Sequence, residues 1–360
     1  MKKIGFLALA ILIYSAIVFY FGWSVWTWLE AFFSINVWLF MGIWFLVAYA
    51  IIIARLDHRL RTFSIIGSYW LIIMQYGILL FPIASILVWI FPEHLKLIGG
   101  IVLLIFVLIM LLGTYNAFSP VVRELTIKMP KKDATVNSLK VVVASDFHLG
   151  LLSNKAHLKR FVRKSNEQNP DLVLLVGDLV DDDPIWFVKK GMSEVMKQLH
   201  STYGNYGVLG NHEYYGKKIP LLVEEMEASS VKMLLDETIL VADTFYLTGR
   251  EDLTNRNRKE LSELAPKQKN LPWLVMDHTP SNLLIPEREK VDFHVSGHTH
   301  RGQMWPNHLF TQKLFELDYG YRKKGNMHAI VSSGFGFWGP PIRLGSRSEL
   351  WSVEIKLEDV

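Results

Sequence analysis

Four apolar runs, none with an internal charged residue, occupy roughly the first third of this 360-residue chain. They cover residues 4–21, 37–54, 65–90 and 97–113. Each is close to the ~20 residues that an α-helix needs to cross the hydrocarbon core of a bilayer. The sequence therefore predicts a transmembrane α-helical region of about four spans over residues 1–115.

The first run resembles a cleavable secretory signal, because Lys2 and Lys3 precede it. However, no pattern of small residues typical of a cleavage site follows it. Instead Trp23, Trp26 and Trp28 follow, and tryptophan is enriched where helices leave the hydrocarbon core for the headgroup layer. We therefore expect this run to be retained as an anchor.

Positively charged residues flank the predicted spans on one side of the membrane. They are Lys2, Lys3, Arg55, Arg59, Arg61, Arg123, Lys128, Lys131 and Lys132, whereas the intervening segments carry only Lys96. Lys and Arg are enriched in cytoplasmic segments, so four spans predict a multi-pass cell-membrane protein with both chain ends in the cytoplasm. If the number of spans differed by one, the part of the chain after the spans would lie on the opposite side of the membrane.

Charge and composition exclude several classes of protein. Six of the 38 basic residues and three of the 34 acidic residues precede residue 121. The rest of the chain therefore carries 32 basic and 31 acidic residues, which is close to neutral. That balance lacks the basic excess typical of nucleic-acid binding, so no nucleic-acid partner is expected. The absence of cysteine excludes disulfides, thiolate zinc sites and a cysteine nucleophile. The uncharged spans argue against an ion pathway or a transporter.

Beyond the spans we predict two further parts. Residues 116–138 form a juxtamembrane linker and a first strand. The basic stretch 123–132 within them is either a solvated linker or a contact for anionic lipid headgroups. Residues 139–360 are predicted to form one soluble α/β domain.

Five strand-like runs in that domain are each followed by side chains that bind metals. Asp146 and His148 follow residues 139–145, Asp178 follows 171–176, Asn211 follows 206–209, His278 follows 272–276, and His298 and His300 follow 291–296. Helix-like segments, such as 157–168 and 221–229, lie between several of them. Polar side chains just past strand ends meet at one edge of a sheet, where open α/β folds bind ligands.

Carboxylate, amide and imidazole groups bind divalent metals such as manganese, iron or zinc through oxygen and nitrogen. Each of the five motifs alone is more typical of a structural residue or a turn. Their recurrence after successive strands favours two adjacent metal ions, and hence a dinuclear hydrolase acting on phosphate esters.

In this order the motifs resemble the calcineurin-like metallophosphoesterase superfamily. Its pattern is Asp-x-His, Gly-Asp-x-x-Asp, Gly-Asn-His-Asp/Glu, a lone His and Gly-His-x-His. The resemblance extends from about Lys140 to the C-terminus and fills every metal-ligand position. It implies a metallophosphoesterase domain with an α-β-β-α sandwich over residues 139–360, preceded by the transmembrane anchor.

The resemblance also implies roles for single residues. Asp146, His148 and His300 would bind one metal, Asn211, His278 and His298 would bind the other, and Asp178 would bridge the two. A hydroxide activated by both metals would attack phosphorus, and His212 would protonate the leaving oxygen. Asp181 or Glu213 would orient the His212 ring. Manganese is favoured for both ions by the mixed oxygen and imidazole ligands, with iron, zinc, cobalt and magnesium as alternatives.

Further segments resemble membrane-associated bacterial phosphodiesterases and the enzymes that cleave UDP-diacylglucosamine. They are residues 210–215, 297–303, 332–336 and 341–345. Glu213 stands where many relatives have Asp, which preserves the charge but moves it by a methylene. Arg301 and Arg343 either bind substrate phosphate or a nucleotide, or form ordinary surface ion pairs.

These features predict a membrane-tethered phosphohydrolase that cleaves a phosphodiester or pyrophosphate bond in a lipid or lipid-linked substrate, with membrane lipids as partners. One alternative is an enzyme for a soluble nucleotide or phosphoprotein, which would use the same metal centre. A more distant alternative is a non-catalytic, metal-binding membrane module.

Other polar residues of the domain are predicted to be structural. His294 lies within the last strand-like run, and His308 and His328 fall outside the motif pattern. Asp182 and Asp183 are predicted to lie in a solvated turn before Pro184.

Overall fold

The computed structural model describes residues 2–54, 56, 60 and 62–358. The chain forms two compact units, Met1–Leu111 and Leu112–Val360. This division falls a few residues before position 115, where the sequence places the end of the transmembrane region.

The first unit is helical, and its last helix continues into the second. The helices are α1 (Lys2–Glu30), α2 (Val37–Ala48), α3 (Ala50–Ile53), α4 (Phe63–Ile90) and α5 (Leu95–Phe118), with a 3₁₀ turn at Pro92–His94. Among the described residues, three stretches are long and apolar enough to cross a membrane: Gly5–Glu30, Phe63–Ile90 and Pro92–Phe118. They correspond to the first, third and fourth predicted spans.

The second predicted span is shorter than expected. Its helix α2 begins where the Asn36 side chain accepts hydrogen bonds from the backbone N–H of Trp38 and Leu39. The run is interrupted at Tyr49, which separates the 12 residues of α2 from the four of α3.

The sidedness prediction depends on whether this interrupted run crosses the membrane. The prediction also uses three basic residues that lie outside the described residues, namely Arg55, Arg59 and Arg61. The cytoplasmic placement of the second unit therefore stays a prediction.

The described residues of the second unit, 112–358, form twelve strands, with helices between several of them. The strands are β1 (Val121–Pro130), β2 (Ser138–Ala144), β3 (Leu172–Val176), β4 (Asn205–Val208), β5 (Val231–Met233), β6 (Glu237–Val241), β7 (Phe245–Gly249), β8 (Trp273–Met276), β9 (Phe293–Ser296), β10 (Gly320–Lys324), β11 (Met327–Val331) and β12 (Glu349–Glu358). The helices are α6 (Lys155–Asn166), α7 (Ile185–Lys189), α8 (Ser193–Met196), α9 (Asn211–Gly216), α10 (Ile219–Ala228), α11 (Leu261–Leu264), α12 (Leu284–Arg288) and α13 (His308–Leu314), with a 3₁₀ turn at His300–Gly302.

These strands form two six-stranded sheets, in the orders β1-β12-β2-β3-β4-β5 and β10-β11-β9-β8-β7-β6. In the first sheet β2, β3, β4 and β5 are parallel, and in the second β7, β8, β9 and β11 are parallel. Parallel strands place their carboxyl ends at one edge of each sheet. The predicted ligands follow such ends in both sheets.

Alternating side chains of each strand explain why the sheets stack and why helices cover them. In β2, Val141 and Val143 lie in the core between the sheets, whereas Val142 and Ala144 face the layer that contains α6 and α10. A smaller apolar cluster, which includes Trp273 of β8, covers the other face of the second sheet. Burial of each Leu- or Val-sized side chain contributes about 1.5–3 kcal/mol. The α/β sandwich expected from the resemblance is confirmed.

The segment predicted as a juxtamembrane linker is more ordered than a solvated connection. Residues 121–130 form β1, which pairs in parallel with β12. Nε of Arg123 is 3.1 Å from the buried Glu349 carboxylate, and Lys128 pairs with Glu358 at 2.9 Å. The basic side chains expected to be solvated or to touch lipid headgroups are thus partly engaged within the sheet.

Candidate metal centre

Six of the seven side chains predicted as metal ligands fall into overlapping groups at the carboxyl ends of strands from both sheets. Within each group, one ligand atom per residue lies within 4.8 Å of the others. The groups are Asp146, His148 and His300; Asp178, His278 and His298; and His148, Asp178 and His212. The third group shares members with the first two, so they form one continuous cluster.

Asp178 lies between the two main groups. Its Oδ2 is 3.2 Å from Nε2 of His278 and 3.7 Å from Nε2 of His148. Its Oδ1 accepts a hydrogen bond from the backbone N–H of His212 at 2.9 Å. Burial opposes ionisation of this carboxyl, but the facing imidazoles outweigh burial and hold its pKa below the ordinary range. Asp178 is therefore an ionised carboxylate in the position that a bridging ligand would occupy.

Asp146, His148 and His300 surround the first part of the cluster. Nε2 of His300 is 3.4 Å from Oδ1 of Asp146 and 3.1 Å from Nε2 of His148. Both Asp146 oxygens accept the backbone N–H of His298, at 3.0 and 3.1 Å, and Ser145 donates its hydroxyl to Oδ2. One carboxylate oxygen and two imidazole nitrogens thus face the same small space.

His278, His298 and Asn211 surround the second part. Nδ1 of His278 donates to the carbonyl of Val176 at 2.8 Å, which leaves Nε2 as the ligand nitrogen. That Nε2 is buried and forms no hydrogen bond of suitable geometry among the described residues, although Oδ2 of Asp178 lies 3.2 Å away. Nδ1 of His298 is 2.9 Å from Oδ1 of Asn211, so the amide belongs to the same group.

Three of the four imidazoles predicted as ligands are held in the neutral form that a metal requires. Burial lowers the pKa of His148 to about 3 and that of His298 to about 4, and it lowers the pKa of His300 well below its ordinary range. For His278, burial opposes the charge, but Asp178 outweighs burial and raises the pKa. A cation bound beside Asp178 would replace the His278 proton.

This donor set fits two divalent ions. It consists of carboxylate and amide oxygens and imidazole nitrogens, the mixture that suits manganese, iron, zinc and cobalt. The neutral His148 and His300 nitrogens face each other, and Nε2 of His278 faces Asp178 at 3.2 Å without a hydrogen bond of suitable geometry. A cation in each group would take up the lone pairs of His148 and His300 and would replace the proton of His278.

Five of the seven predicted ligands have left-handed backbone conformations. The φ angle is 53° at Asp146, 44° at His148, 51° at Asp178, 70° at His298 and 50° at His300. Asp and His tolerate this region better than most residues, but each such position still costs on the order of 1–3 kcal/mol. The strained turns direct the side chains from the strand ends into the cluster.

Two glycines allow the close approach of neighbouring loops. A Cβ at Gly210 would collide with the Asp178 carboxylate, and a Cβ at Gly297 would collide with Asp146 and Ser145. Both positions therefore require glycine for steric reasons, because any side chain would displace a ligand carboxylate.

His212 belongs to the third group, and its hydrogen-bond partner differs from the predicted one. Its Nδ1 donates to Oδ1 of Asp182 at 2.6 Å, not to Asp181 or Glu213. Burial lowers the pKa of His212, but the Asp182 hydrogen bond and the charges of Asp178, Asp182 and Asp181 outweigh burial and raise it to about 9. Both ring nitrogens are therefore protonated at neutral pH, which leaves Nε2–H as a donor.

Glu213 is directed away from the His212 ring. Its carboxylate accepts the backbone N–H of Asp178 and of Val180, each at 3.1 Å, and that of Gly210 at 2.6 Å. Burial raises the pKa of Glu213, whereas these donors favour its carboxylate form. Glu213 thus joins the two loops that carry Asp178 and His212.

The carboxylate that orients the His212 ring is Asp182, not Asp181. Asp181 acts on His212 through its charge and makes no hydrogen bond to the ring within the described part of the chain. Asp182 was expected in a solvated turn, and 54% of its side chain is exposed, yet one oxygen holds the His212 ring. The sequence-based assignment of the orienting carboxylate is therefore wrong.

Arg343 is fully buried, which contradicts both predicted roles for it. Its Nε and Nη2 donate to the carbonyl of Gly336 at 3.0 and 2.6 Å, and Nη1 donates to Ser346 at 3.2 Å. Nη2 also lies 3.3 Å from Nδ1 of His300. Arg343 therefore positions the His300 ring and the Gly336 loop, out of reach of a substrate.

Arg301 directly follows His300, one of the predicted ligands. Its guanidinium stacks on the Tyr319 ring, 4.6 Å from the centroid. No hydrogen bond to the guanidinium occurs in the part of the chain that the structure describes. Its contact with substrate stays a prediction.

The other histidines behave as structural residues. His294 is buried within β9, and Nδ1 of His328 pairs with the Tyr321 hydroxyl at 2.8 Å. Neither they nor His308 belong to a ligand group among the described residues. The contribution of Ser145 was missed from the sequence, because a serine at a strand end is too common to indicate a ligand partner.

Comparison with known proteins agrees with this geometry. Residues 139–302 match the family model described as calcineurin-like phosphoesterase. An uncharacterized metallophosphoesterase of Helicobacter pylori strain J99 is 31% identical over 253 residues, 66% of this chain and 65% of that protein. One from Campylobacter jejuni is 32% identical over 251 residues, 66% of this chain and 64% of that protein.

A relative from Danio rerio is described as a transmembrane protein with metallophosphoesterase domain. It is 29% identical over 261 residues, which cover 68% of this chain and 59% of that protein. The chain thus spans somewhat less than two thirds of the length of these curated relatives.

We expect Asp182→Asn to lower the pKa of His212 from about 9 in the metal-free protein, because the amide keeps an acceptor but loses the negative charge. Asp181→Asn is the matched control and should lower this pKa less, since it removes a charge without a hydrogen bond. Histidine-ring ¹⁵N NMR titration after chelator treatment measures both, with His212 identified by its missing signal in His212→Gln. Equal shifts in the two variants would contradict the assignment of Asp182.

Proposed function

Because the family model and the relatives support membership of the calcineurin-like metallophosphoesterase superfamily, we propose that this protein is a membrane-tethered dimetal phosphohydrolase. It cleaves a phosphodiester or pyrophosphate bond in a lipid or lipid-linked substrate. The observation that carries the proposal is the convergence of oxygen and imidazole ligands around Asp178, with a protonated His212 beside them.

Two bound divalent ions supply Lewis-acid chemistry, since they lower the pKa of water and offset charge on phosphoryl oxygens. Protonation of the leaving group depends on residues of the chain. Nε2–H of His212 donates its proton to the leaving oxygen, and Asp182 keeps the ring oriented and charged until that proton leaves. Manganese is the first choice for the ions, with iron, zinc, cobalt and magnesium as alternatives.

The apolar helices support a substrate that resides in the membrane. Three described helices are long and apolar enough to span a bilayer. An anchor of that size keeps the centre at the membrane surface, which raises its effective concentration for lipid headgroups and gives little advantage for a soluble nucleotide. The substrate classes are a phospholipid, a lipid-linked sugar nucleotide such as UDP-diacylglucosamine, or a polyprenyl diphosphate. Arg301 would bind one of their phosphoryl groups.

The alternative of a soluble nucleotide or phosphoprotein substrate uses the same centre. A non-catalytic module is less favoured, because the sequence retains all seven ligands and His212.

Two variants test the reaction. With Mn²⁺ and bis(p-nitrophenyl) phosphate, Asp178→Ala should abolish hydrolysis and lower the metal content, because the carboxylate between the two groups is lost. His212→Ala should retain metal and lose ~10²- to 10⁴-fold in rate on an alkyl phosphodiester, the usual contribution of a general acid. The loss caused by His212→Ala should be smaller on bis(p-nitrophenyl) phosphate, because its p-nitrophenolate group leaves readily as an anion without a proton. Equal losses on both esters would exclude His212 as the acid, and an inactive wild-type protein with metal bound would favour the non-catalytic module.

A second experiment addresses the substrate. Turnover by the full chain in vesicles should be higher for a phosphodiester or pyrophosphate carried by a lipid than for the same headgroup without acyl chains. Detergent-solubilised protein, assayed with both substrates, is the control for access to the vesicle interior. A strong preference for the soluble compound in both settings would support the nucleotide or phosphoprotein alternative.

We also propose that the second unit lies in the cytoplasm, as four spans predict. The chain has no cysteine, so single engineered cysteines report their own side of the membrane. In intact cells an impermeant maleimide should label Ser34→Cys, in the segment between α1 and α2, and spare Lys356→Cys on β12 until the cells are lysed. Labelling of Lys356→Cys in intact cells would place the domain outside.

A further inference from the structure

Five large apolar side chains on two adjacent segments of the second unit are exposed. They are Trp305, Leu309, Phe310, Leu314 and Trp338, here called the apolar rim, with exposed fractions from 52% to 75%. The segments adjoin, because Gln303 exchanges two hydrogen bonds with the backbone of Trp338, each at 2.9 Å. Single exposed apolar residues are ordinary on a soluble surface, whereas a contiguous set marks an interaction site.

The helix within this rim has its apolar side chains on the outside. Thr311 of α13 faces the protein and donates to the Asp318 carboxylate at 2.7 Å. Phe310 and Leu314, four residues apart on one face, are 66% and 75% exposed. Lys313, between them, is also exposed. This is the reverse of the arrangement expected for a helix that packs on a core and faces water.

The rim borders the metal centre. The ring of Trp338 lies 6.0 Å from the ring of His212, measured between centroids. On the other side Phe315, which follows α13, lies 6.0 Å from the ring of His298. A molecule held on the rim is therefore next to the proposed proton donor.

The rim is also tied to the end of the last apolar helix. The backbone N–H of Arg343 donates to the carbonyl of Gly113 at 2.9 Å, and the Asn116 side chain donates to the carbonyl of Arg343 at 3.1 Å. Trp305 donates its backbone N–H to the carbonyl of Leu344 at 2.8 Å. At 1.5 Å per residue, Gly113 lies about 8 Å from the end of α5 at Phe118.

That end of α5 belongs to a stretch long and apolar enough to cross a membrane. Leu112 and Tyr115 on its last turns are 57% and 60% exposed. The loop that carries Trp338 therefore lies beside the point where a span leaves the bilayer. Tryptophan and tyrosine are enriched at that depth, and lysine extends its amine from apolar surroundings to the headgroups.

We infer that the apolar rim is immersed in the interfacial layer of the same membrane, in contact with lipid acyl chains, with Lys313 directed to headgroup phosphates. The rim is joined through the loop of Arg343 to the last turns of α5, where Leu112 and Tyr115 are also exposed, and this is the reason to favour lipid over a protein partner. This inference deepens the proposed function and rests on its membrane anchor. The metal centre then opens at headgroup depth, so a lipid phosphoryl group reaches it without leaving the bilayer.

The test measures immersion without any substrate or bound metal. Phe310→Cys and Leu314→Cys each provide a single cysteine in the full chain, which carries a nitroxide in vesicles of phosphatidylcholine and phosphatidylglycerol. Leu240→Cys on β6 is the matched control, since this leucine is 47% exposed and lies on an edge strand of the second sheet. Collision with oxygen, which concentrates in lipid, is compared with collision with a water-soluble nickel chelate.

We expect the ratio of oxygen to nickel accessibility to be several-fold higher at both rim positions than at Leu240→Cys. Equal ratios at all three positions would overturn the inference. Rim labels that are immobile and shielded from both reagents would overturn it in favour of a protein occupant, such as a second copy of the chain. Because no turnover is measured, either failure leaves the tests of hydrolysis unaffected.

Discussion

The carboxylate of Asp178 touches both halves of the ligand cluster through one oxygen and the backbone of His212 through the other. In the metal-free protein this arrangement is electrostatically costly. Burial and the nearby Asp178 charge raise the pKa of Asp146 to about 6, even though His278 opposes them, and Asp178 raises the pKa of His278 against the effect of burial. Two divalent ions would remove both problems, so metal binding and stability of this edge of the sandwich are coupled.

Contacts outside the cluster hold its parts in register. Glu213 joins the loops after β3 and β4, and Arg343 connects the His300 ring to the carbonyl of Gly336. Both side chains are buried and direct most of their hydrogen bonds to backbone groups. A charged residue next to a catalytic motif is therefore not necessarily in contact with substrate, and its burial distinguishes the two roles.

Much of this architecture could be predicted from the sequence, because it depends on local patterns. Apolar runs of strand length followed by Asp, Asn or His mark β2, β3, β4, β8 and β9. Within the run of three aspartates, by contrast, the sequence cannot distinguish Asp181 from Asp182, since the choice depends on which side chain the turn directs to His212. The interruption at Tyr49 is equally hidden, because the residues on both sides of it are apolar.

Strand β12 lies between β1 and β2 in the first sheet, although β1 and β2 follow one another in the chain and β12 comes after all the other strands. During synthesis α5 and β1 leave the ribosome long before β12 does. Until β12 is made, β1 and the edge of β2 that later pairs with β12 lack their partner strand, and an unpaired edge accepts foreign strands. A ribosome that stalls before residue 349 thus leaves a chain with an open sheet, which is a substrate for chaperones and proteases.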